Sequence, residues 1–284
     1  MQQSQRNQQI IRNLIIFTVV TLGSGWLGLA VDRATAAPDL QQGFGILLWI
    51  LLPAVTGLLL RALGGDGWQD AGIKPHLPTG WRWYGVALLI FPLVSLLMLG
   101  LGYGVGAFSL PGFATQGWGA FVALVALAFA ASFIKNILEE FAWRGYLTAR
   151  FAALQLHPLL NHLLTGLIWA SWHIPYWLYF VDVQTFTTLS RPTFIGLAML
   201  TLIITAITYG ELRLLSKSVW PTVVLHSVAN AITATFLLNG FIKLNRWVGV
   251  VFSPGNDGVI HAIVFTVIGI GLYQYRLRTT RRTD

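Results

Sequence analysis

The chain has 284 residues, of which 10% are charged and 55% hydrophobic, with a mean hydropathy of +0.67 and a formal net charge of +8. Globular domains carry roughly 25% charged residues, so a chain this long could not cover its own surface with polar groups and belongs in a membrane. The bases are strewn between apolar segments rather than gathered on one face, which excludes a nucleic-acid groove, and the absence of cysteine excludes disulfide frameworks, thiolate nucleophiles and cysteine-ligated metals.

Near-continuous apolar stretches predict helices at about residues 10–31, 43–63, 83–106, 118–138, 159–180, 193–212, 220–239 and 258–275. Each approaches the ~20 residues that a helix needs to cross a ~30 Å hydrocarbon core. The expectation is an all-α polytopic membrane protein, a single transmembrane domain over 1–284 with about eight spans and a polar cavity in the cytoplasmic half. Arg6, Arg12, the apolar run from Leu14 to Val31 and then Ala34-Thr35-Ala36 have the shape of a signal peptide. The apolar core is about twice the usual length, which favours an uncleaved first span. Gly23-Ser24-Gly25-Trp26-Leu27-Gly28 fits a dinucleotide-binding GxGxxG literally, but it lies within a span rather than between a strand and a helix.

Residues 64–82 read as a loop rich in Gly and Pro, with Trp81, Trp83 and Tyr84 as an interfacial belt for the third span. Gly100, Gly102, Gly104 and Gly106 have the spacing of close helix packing, within the chain or between copies. With eight spans both termini lie on one side. That side holds Arg6, Arg12, Arg61, Lys74, Arg82, Arg144, Arg150, Arg213, Lys217, Arg276, Arg278, Arg281 and Arg282, which is 13 bases. The opposite side holds four, Arg33, Arg191, Lys243 and Arg246, while Lys135 falls inside a span. The positive-inside rule then predicts cytoplasmic termini.

Three segments carry candidate chemistry. In Lys135-Asn136-Ile137-Leu138-Glu139-Glu140-Phe141-Ala142-Trp143-Arg144, four charges cluster at the end of an apolar helix, where each would cost roughly 2.5–3.5 kcal/mol at the bilayer centre. Glu140 and Arg144 stand at i and i+4 and can form an ion pair, while Glu139 points about 100° away. Alternatively these charges mark the point where the span leaves the membrane. In Trp169-Ala170-Ser171-Trp172-His173-Ile174-Pro175 a histidine lies inside the fifth span, followed by a proline that frees the carbonyl of Ser171. In His226-Ser227-Val228-Ala229-Asn230 a histidine and an asparagine share one helix face. A lone intramembrane His more often bonds helix to helix than catalyses, yet three helices offering such groups suggest a shared site. A carboxylate beside an imidazole can take a proton from water, and His and Asn donors can stabilise an oxyanion.

Glu139-Glu140-x-x-x-Arg144, an aromatic-x-x-x-His ending at His173, and His226-x-x-x-Asn230 together resemble the three ordered motifs of the CPBP family of intramembrane proteases. That family includes type II CAAX prenyl endopeptidases and bacteriocin-immunity or processing (Abi) proteins. The resemblance covers about residues 118–238, the expected catalytic core, and implies that Glu139 and His173 activate water and that His226 and Asn230 hold the oxyanion. Glu140 and Arg144 would support the first glutamate. Trp169 stands where the family usually has Phe, keeping an aromatic wall while placing substrate preference in question. The expected partners are the lipid bilayer and a membrane protein or lipidated peptide substrate, with no nucleic acid.

A divalent metal such as zinc could be held by His173, His226 and Glu139, although the zincin HExxH is absent. His157 and His162 read as interfacial, His76 as a loop residue, His261 as isolated in the eighth span, and Glu211 with Arg213 as an anchor at the end of the sixth. No Asp is expected in any span, which argues against an aspartyl protease. The competing functions are a non-catalytic immunity or scaffold protein of the same fold, and a proton-coupled transporter, for which no matched pair of broken helices is visible.

Overall fold

A computed structural model describes residues 2–37 and 39–280. Helix α1 (Gln2–Ala34) lies along α2 (Phe44–Ala62), and the two backbones meet at Gly28, where a Cβ would stand 2.3 Å from the Gly45 carbonyl oxygen. Of the glycines of the false dinucleotide motif, Gly25 and Gly28 therefore serve close packing, while Gly23 faces open space. Helix α3 (Leu77–Gly104) leads through β1 (Phe108–Ser109) and the short α4 (Pro111–Thr115) to α5 (Gly117–Glu140). Helix α5 does not stop at the glutamates. It continues through a π-helical turn, Phe141–Leu147, into α6 (Thr148–Ala153), a run of 37 residues.

Helix α7 (Pro158–Trp172) breaks at His173–Pro175 and resumes as a π-helical turn, Tyr176–Phe180. A 3₁₀ turn (Val183–Thr185), α8 (Arg191–Ser216) and α9 (Trp220–Leu237) follow, and β2 (Lys243–Leu244), antiparallel to β1, leads to α10 (Arg246–Val251) and α11 (Val259–Thr280).

Among the described residues, six helices are long and apolar enough to cross a membrane: α1, α2, α3, the α5–α6 run, α8 and α11. Their outer faces are apolar, as at Leu89, Leu93 and Leu96 on α3 and Val122, Leu127 and Ile134 on α5, which suits hydrocarbon and not water. The protein is a multi-pass integral membrane protein. The expected fifth and seventh spans fall short of that length and composition. Helix α7 runs only 15 residues before its break, and α9, with 18, spends positions on His226, Ser227, Asn230 and three Thr. Both instead pack among the others, α9 against α5 and α3 and α7 against α8 and α1.

The bundle has two distinct ends. At the end bearing the termini, Asn13 donates to the Gly64 carbonyl at 3.0 Å, and Tyr273 of α11 meets His157 at the start of α7. The segment after α2 folds over this end, with Val219 N–H donating to Gly72 O at 2.9 Å and Trp220 Nε1 to Ile73 O at 2.6 Å. Beneath it Arg61 bonds Asp70 and the carbonyls of Gly67 and Gly145, Arg150 bonds Asp66 and Asp70, and Tyr146 donates to Asp66 at 2.7 Å. Gly72 is needed here, with φ +70° and the Arg213 guanidinium where a Cβ would stand.

Several expectations change. Arg61, Arg144, Arg150 and Arg213 are buried members of ion-pair or hydrogen-bond networks and not surface anchors, while Arg281 and Arg282 lie outside the described residues. Asp32 lies within α1, buried in its last turn, where Oδ1 accepts the Gly45 N–H at 2.8 Å. Trp81 is exposed but Trp83 is buried, so the belt is only partly interfacial. Of the regularly spaced glycines, Gly102 meets Phe108 and Phe252, whereas Gly100 and Gly104 face open space.

Candidate active site

The reading of Lys135–Arg144 as the point of exit from the membrane fails, because the helix continues and its charges turn inward. Glu139, Glu140 and Arg144 are 3%, 0% and 0% exposed. Unpaired, such charges would be prohibitive in a bundle interior, and each has a partner. Glu140 Oε1 accepts from Arg144 Nη1 at 2.9 Å, as the i, i+4 spacing predicts, and lies 2.8 Å from His226 Nδ1 on α9. The Arg144 guanidinium is sandwiched between the rings of Trp169 and Tyr209, 4.4 and 4.5 Å from their centroids. Lys135 pairs with Glu139 Oε1, while Glu139 Oε2 faces the indole N–H groups of Trp143 and Trp169, each at 3.4 Å. Two acids are balanced by two bases, one helical turn to either side.

A cavity of about 370 Å³ meets this cluster. Lys135, Trp169, His173, Tyr209, His226 and Asn230 all line it. The break in α7 places His173 at the cavity wall, and the ring is boxed by Trp177 (stacked, 5.1 Å between centroids) and by the edges of Trp172 and Trp169. Its Nδ1 lies 2.9 Å from the Trp169 carbonyl, which can only accept. The proton therefore sits on Nδ1, and neutral His173 presents an unprotonated Nε2. The same logic gives His226 an Nδ1–H donated to Glu140, so its Nε2 is a base when the ring is neutral and a donor when it is charged. Asn230 Nδ2 donates to Asn136 Oδ1 at 3.3 Å, and Asn136 in turn donates to Ser227 Oγ at 3.2 Å.

Each candidate thus joins one neighbourhood. Glu140, expected to support Glu139, pairs with Arg144 and holds His226. Glu139 is capped by Lys135, whose role the sequence did not give, although its lone positive charge inside a span was the signal. Asn136 and Tyr209 carried no readable signal, being one polar and one aromatic residue in apolar helices. His261 is not isolated, since it lines the same cavity from α11, stacked on Phe265 at 4.6 Å. His162 and Glu211 are not interfacial either: buried, they pair at 2.9 Å, and Arg276 joins Glu211 at 2.6 Å. Gly210 leaves room for that histidine, whose Nδ1 lies 2.0 Å from where a Cβ would be.

The cavity also extends beyond its polar floor. Its walls come from the start of α2 (Ile46), the end of α7 and the turn after it (Tyr176, Val181), the end of α9 (Leu237) and the start of α11 (His261). It therefore runs from His226, six residues into α9 from the terminus-bearing end, towards the opposite end of the bundle.

Metal fits poorly. Among the described residues no group of three or more His, Asp or Glu is gathered closely enough to hold an ion. Glu139, the one carboxylate in the expected ligand set, is engaged by an ammonium and two indoles.

Residues 121–232 match the family described as Type II CAAX prenyl endopeptidase Rce1-like. The resemblance carried by the three motifs is thereby shown over this segment, which contains Glu139, Glu140, Arg144, Trp169, His173, His226 and Asn230. The family is one of proteases acting in membranes. No curated protein gives a significant match to the chain.

Proposed function

We propose that the protein is an intramembrane endopeptidase that hydrolyses a peptide bond of a membrane-associated protein or peptide, a prenylated CAAX-type tail being the substrate that the family's description suggests. The observation that carries the reading is the meeting of His173, His226 and Asn230 on one cavity, with Glu139 directly behind Lys135.

In the proposed reaction a water in the cavity gives its proton to Glu139 or to the free Nε2 of His173 as its oxygen bonds the scissile carbonyl carbon. The developing oxyanion is met by Nε2–H of a protonated His226 and by the second N–H of Asn230. The proton then passes to the amide nitrogen as the C–N bond breaks. Glu140 and Arg144 act through others: Glu140 orients His226, and Arg144 keeps Glu140 ionised in a dry setting. Lys135 has to release Glu139 Oε1, or share it with water, for the carboxylate to act as base.

The test compares the peptide termini in membranes of cells carrying the wild type, Glu139→Gln or His226→Ala at equal protein levels. Fragments that vanish in both variants are the expected result. If both variants retain every fragment, hydrolysis is the wrong reading and a binding role in the same fold takes its place.

A further inference from the structure

We infer that a groove on the outer face of the bundle, between α3 and α11, is a binding site for one anionic phospholipid. An acyl chain lies along the groove and the phosphate sits among the bases at its mouth. The site is separate from the cavity that holds His226 and does not rest on the proposed activity.

The groove encloses about 600 Å³, within the range of ~300–1,000 Å³ that holds small ligands. On α3 it follows one helical stripe, Arg82, Gly85, Leu89, Leu93 and Leu97, and Val264 and Ile268 of α11 form the facing wall. From Trp81 to Leu97 the stripe runs about 24 Å at 1.5 Å per residue, the reach of an extended acyl chain rather than of a headgroup. Gly85 keeps the slot open, since a Cβ there would meet nothing within 4 Å. Beyond Arg82 the lining is wholly aliphatic, so a peptide or another polar ligand would lose its hydrogen bonds to water and gain none. No lining residue is shared with the cavity: α3 and α11 turn Phe91 and Phe265 towards it, and their neighbours Ile90 and Val264 towards the groove.

The mouth is basic. Tyr275 of α11 meets Trp83 at 5.8 Å between centroids, which sets the last turns of α11 beside the first turns of α3. Arg82 lines the groove, exposed, with its guanidinium 5.0 Å from the centre of the Trp83 ring. Arg278, also exposed, lies three residues beyond Tyr275 on the same face of α11. The exposed Lys217 follows Ser216, whose carbonyl oxygen lies 3.9 Å from where a Cβ of Gly80 would stand. Among the described residues none of these three bases pairs with an acid, and Glu211 near the end of α8 is already held by His162 and Arg276. Three uncompensated cations over an apolar slot, with Trp81 71% exposed at headgroup level, complement a phosphate that carries a hydrocarbon tail. A zwitterionic headgroup brings its own cation to this cluster and gains less.

The test uses purified full-length protein in neutral detergent, supplied with phosphatidylglycerol or phosphatidylcholine of identical chains. Native mass spectrometry counts the lipids that stay bound. The expected result is one phosphatidylglycerol per chain, retained where phosphatidylcholine is lost. Arg82→Gln, a change at an exposed side chain, should weaken phosphatidylglycerol binding about five-fold and leave phosphatidylcholine unaffected. Gly85→Leu fills the open slot without a clash and should abolish the bound lipid, whereas Gly100→Leu, equally open on α3 but outside the groove, should keep it. Equal retention of the two lipids by the wild type, or of phosphatidylglycerol by both glycine variants, would mean annular lipid only and overturn the inference. A wild-type dimer that Gly85→Leu turns into a monomer would seat a second copy in the groove and overturn it equally.

Discussion

The protein contains two buried Glu–His–Arg clusters built from the same groups. In one, Glu140 joins His226 at 2.8 Å and Arg144 at 2.9 Å; in the other, Glu211 joins His162 at 2.9 Å and Arg276 at 2.6 Å. In both, the carboxylate is wholly buried and neutralised by a guanidinium. They differ in what lies beyond the imidazole. His226 lines a cavity shared with His173 and Asn230, whereas His162 is 0% exposed, has an Nδ1 without a partner and abuts Gly210. A charged triad is therefore no signature of chemistry by itself. The Glu211 cluster ties α7, α8 and α11 together at the terminus-bearing end; the Glu140 cluster does similar work between α5 and α9 and also faces a space where a substrate can lie.

The largest expected effect separates the two guanidiniums. Arg144→Met removes a fully buried cation and leaves Glu140 with His226 alone, which should cost about 3–5 kcal/mol of stability. Arg276, whose side chain is 19% exposed, lets water replace part of what Arg276→Met removes, and a smaller loss of about 1–3 kcal/mol is expected. Thermal unfolding in detergent checks both. Equal losses would mean that the clusters are energetically alike.

Next in size is Gly210→Ala. The added methyl drives the His162 ring from its pocket against Glu211, and overpacking of this kind costs about 1–3 kcal/mol. Cleavage per folded molecule should be unchanged, because His162 does not line the cavity that holds His226. Loss of cleavage without loss of stability would give the second cluster a part in the chemistry.

The smallest effect concerns an acid without a cation. Asp257, in the connection before α11, is buried and accepts from Thr187 Oγ1 at 2.7 Å and Ser253 Oγ at 2.9 Å. Burial pushes its carboxyl above the ordinary value, the hydroxyls opposing the shift only in part. The folded state therefore holds this proton more tightly than the unfolded chain. The stability so gained is full below the unfolded pKa and declines as pH rises from about 4 through the raised value. Asp257→Asn should flatten that decline by at most about 1 kcal/mol, read as unfolding midpoints across mildly acidic pH. A steeper decline in the variant would contradict the assignment.

Much of the site was legible in the sequence, since acids, histidines and an asparagine inside apolar runs stand out against their surroundings and keep helical spacing. The i, i+4 pair of Glu140 and Arg144 followed from spacing alone. Pairings between distant segments leave no periodic trace: Glu211 with His162 and Arg276, Arg61 with Gly145, and the fastening of residues 64–76 over one end. The continuation of α5 through a π-helical turn was hidden because charges at the end of an apolar run look like an exit from the membrane. How far the cavity extends was hidden as well, as it depends on which helix ends diverge and which are clamped. Helices α7 and α9 were placed correctly along the chain, but their polar content leaves them without the length and hydropathy of independent spans.

The most direct test is the matched pair His226→Asn and His162→Asn, compared for release of the wild-type-dependent peptide fragments per folded molecule. Loss of an acid–base or oxyanion group costs about 10²–10⁴-fold in rate, so His226→Asn should fall by that factor while His162→Asn stays within a few-fold of wild type. Equal activity in the two variants, or a loss confined to His162→Asn, would contradict the placement of the chemistry at the cavity.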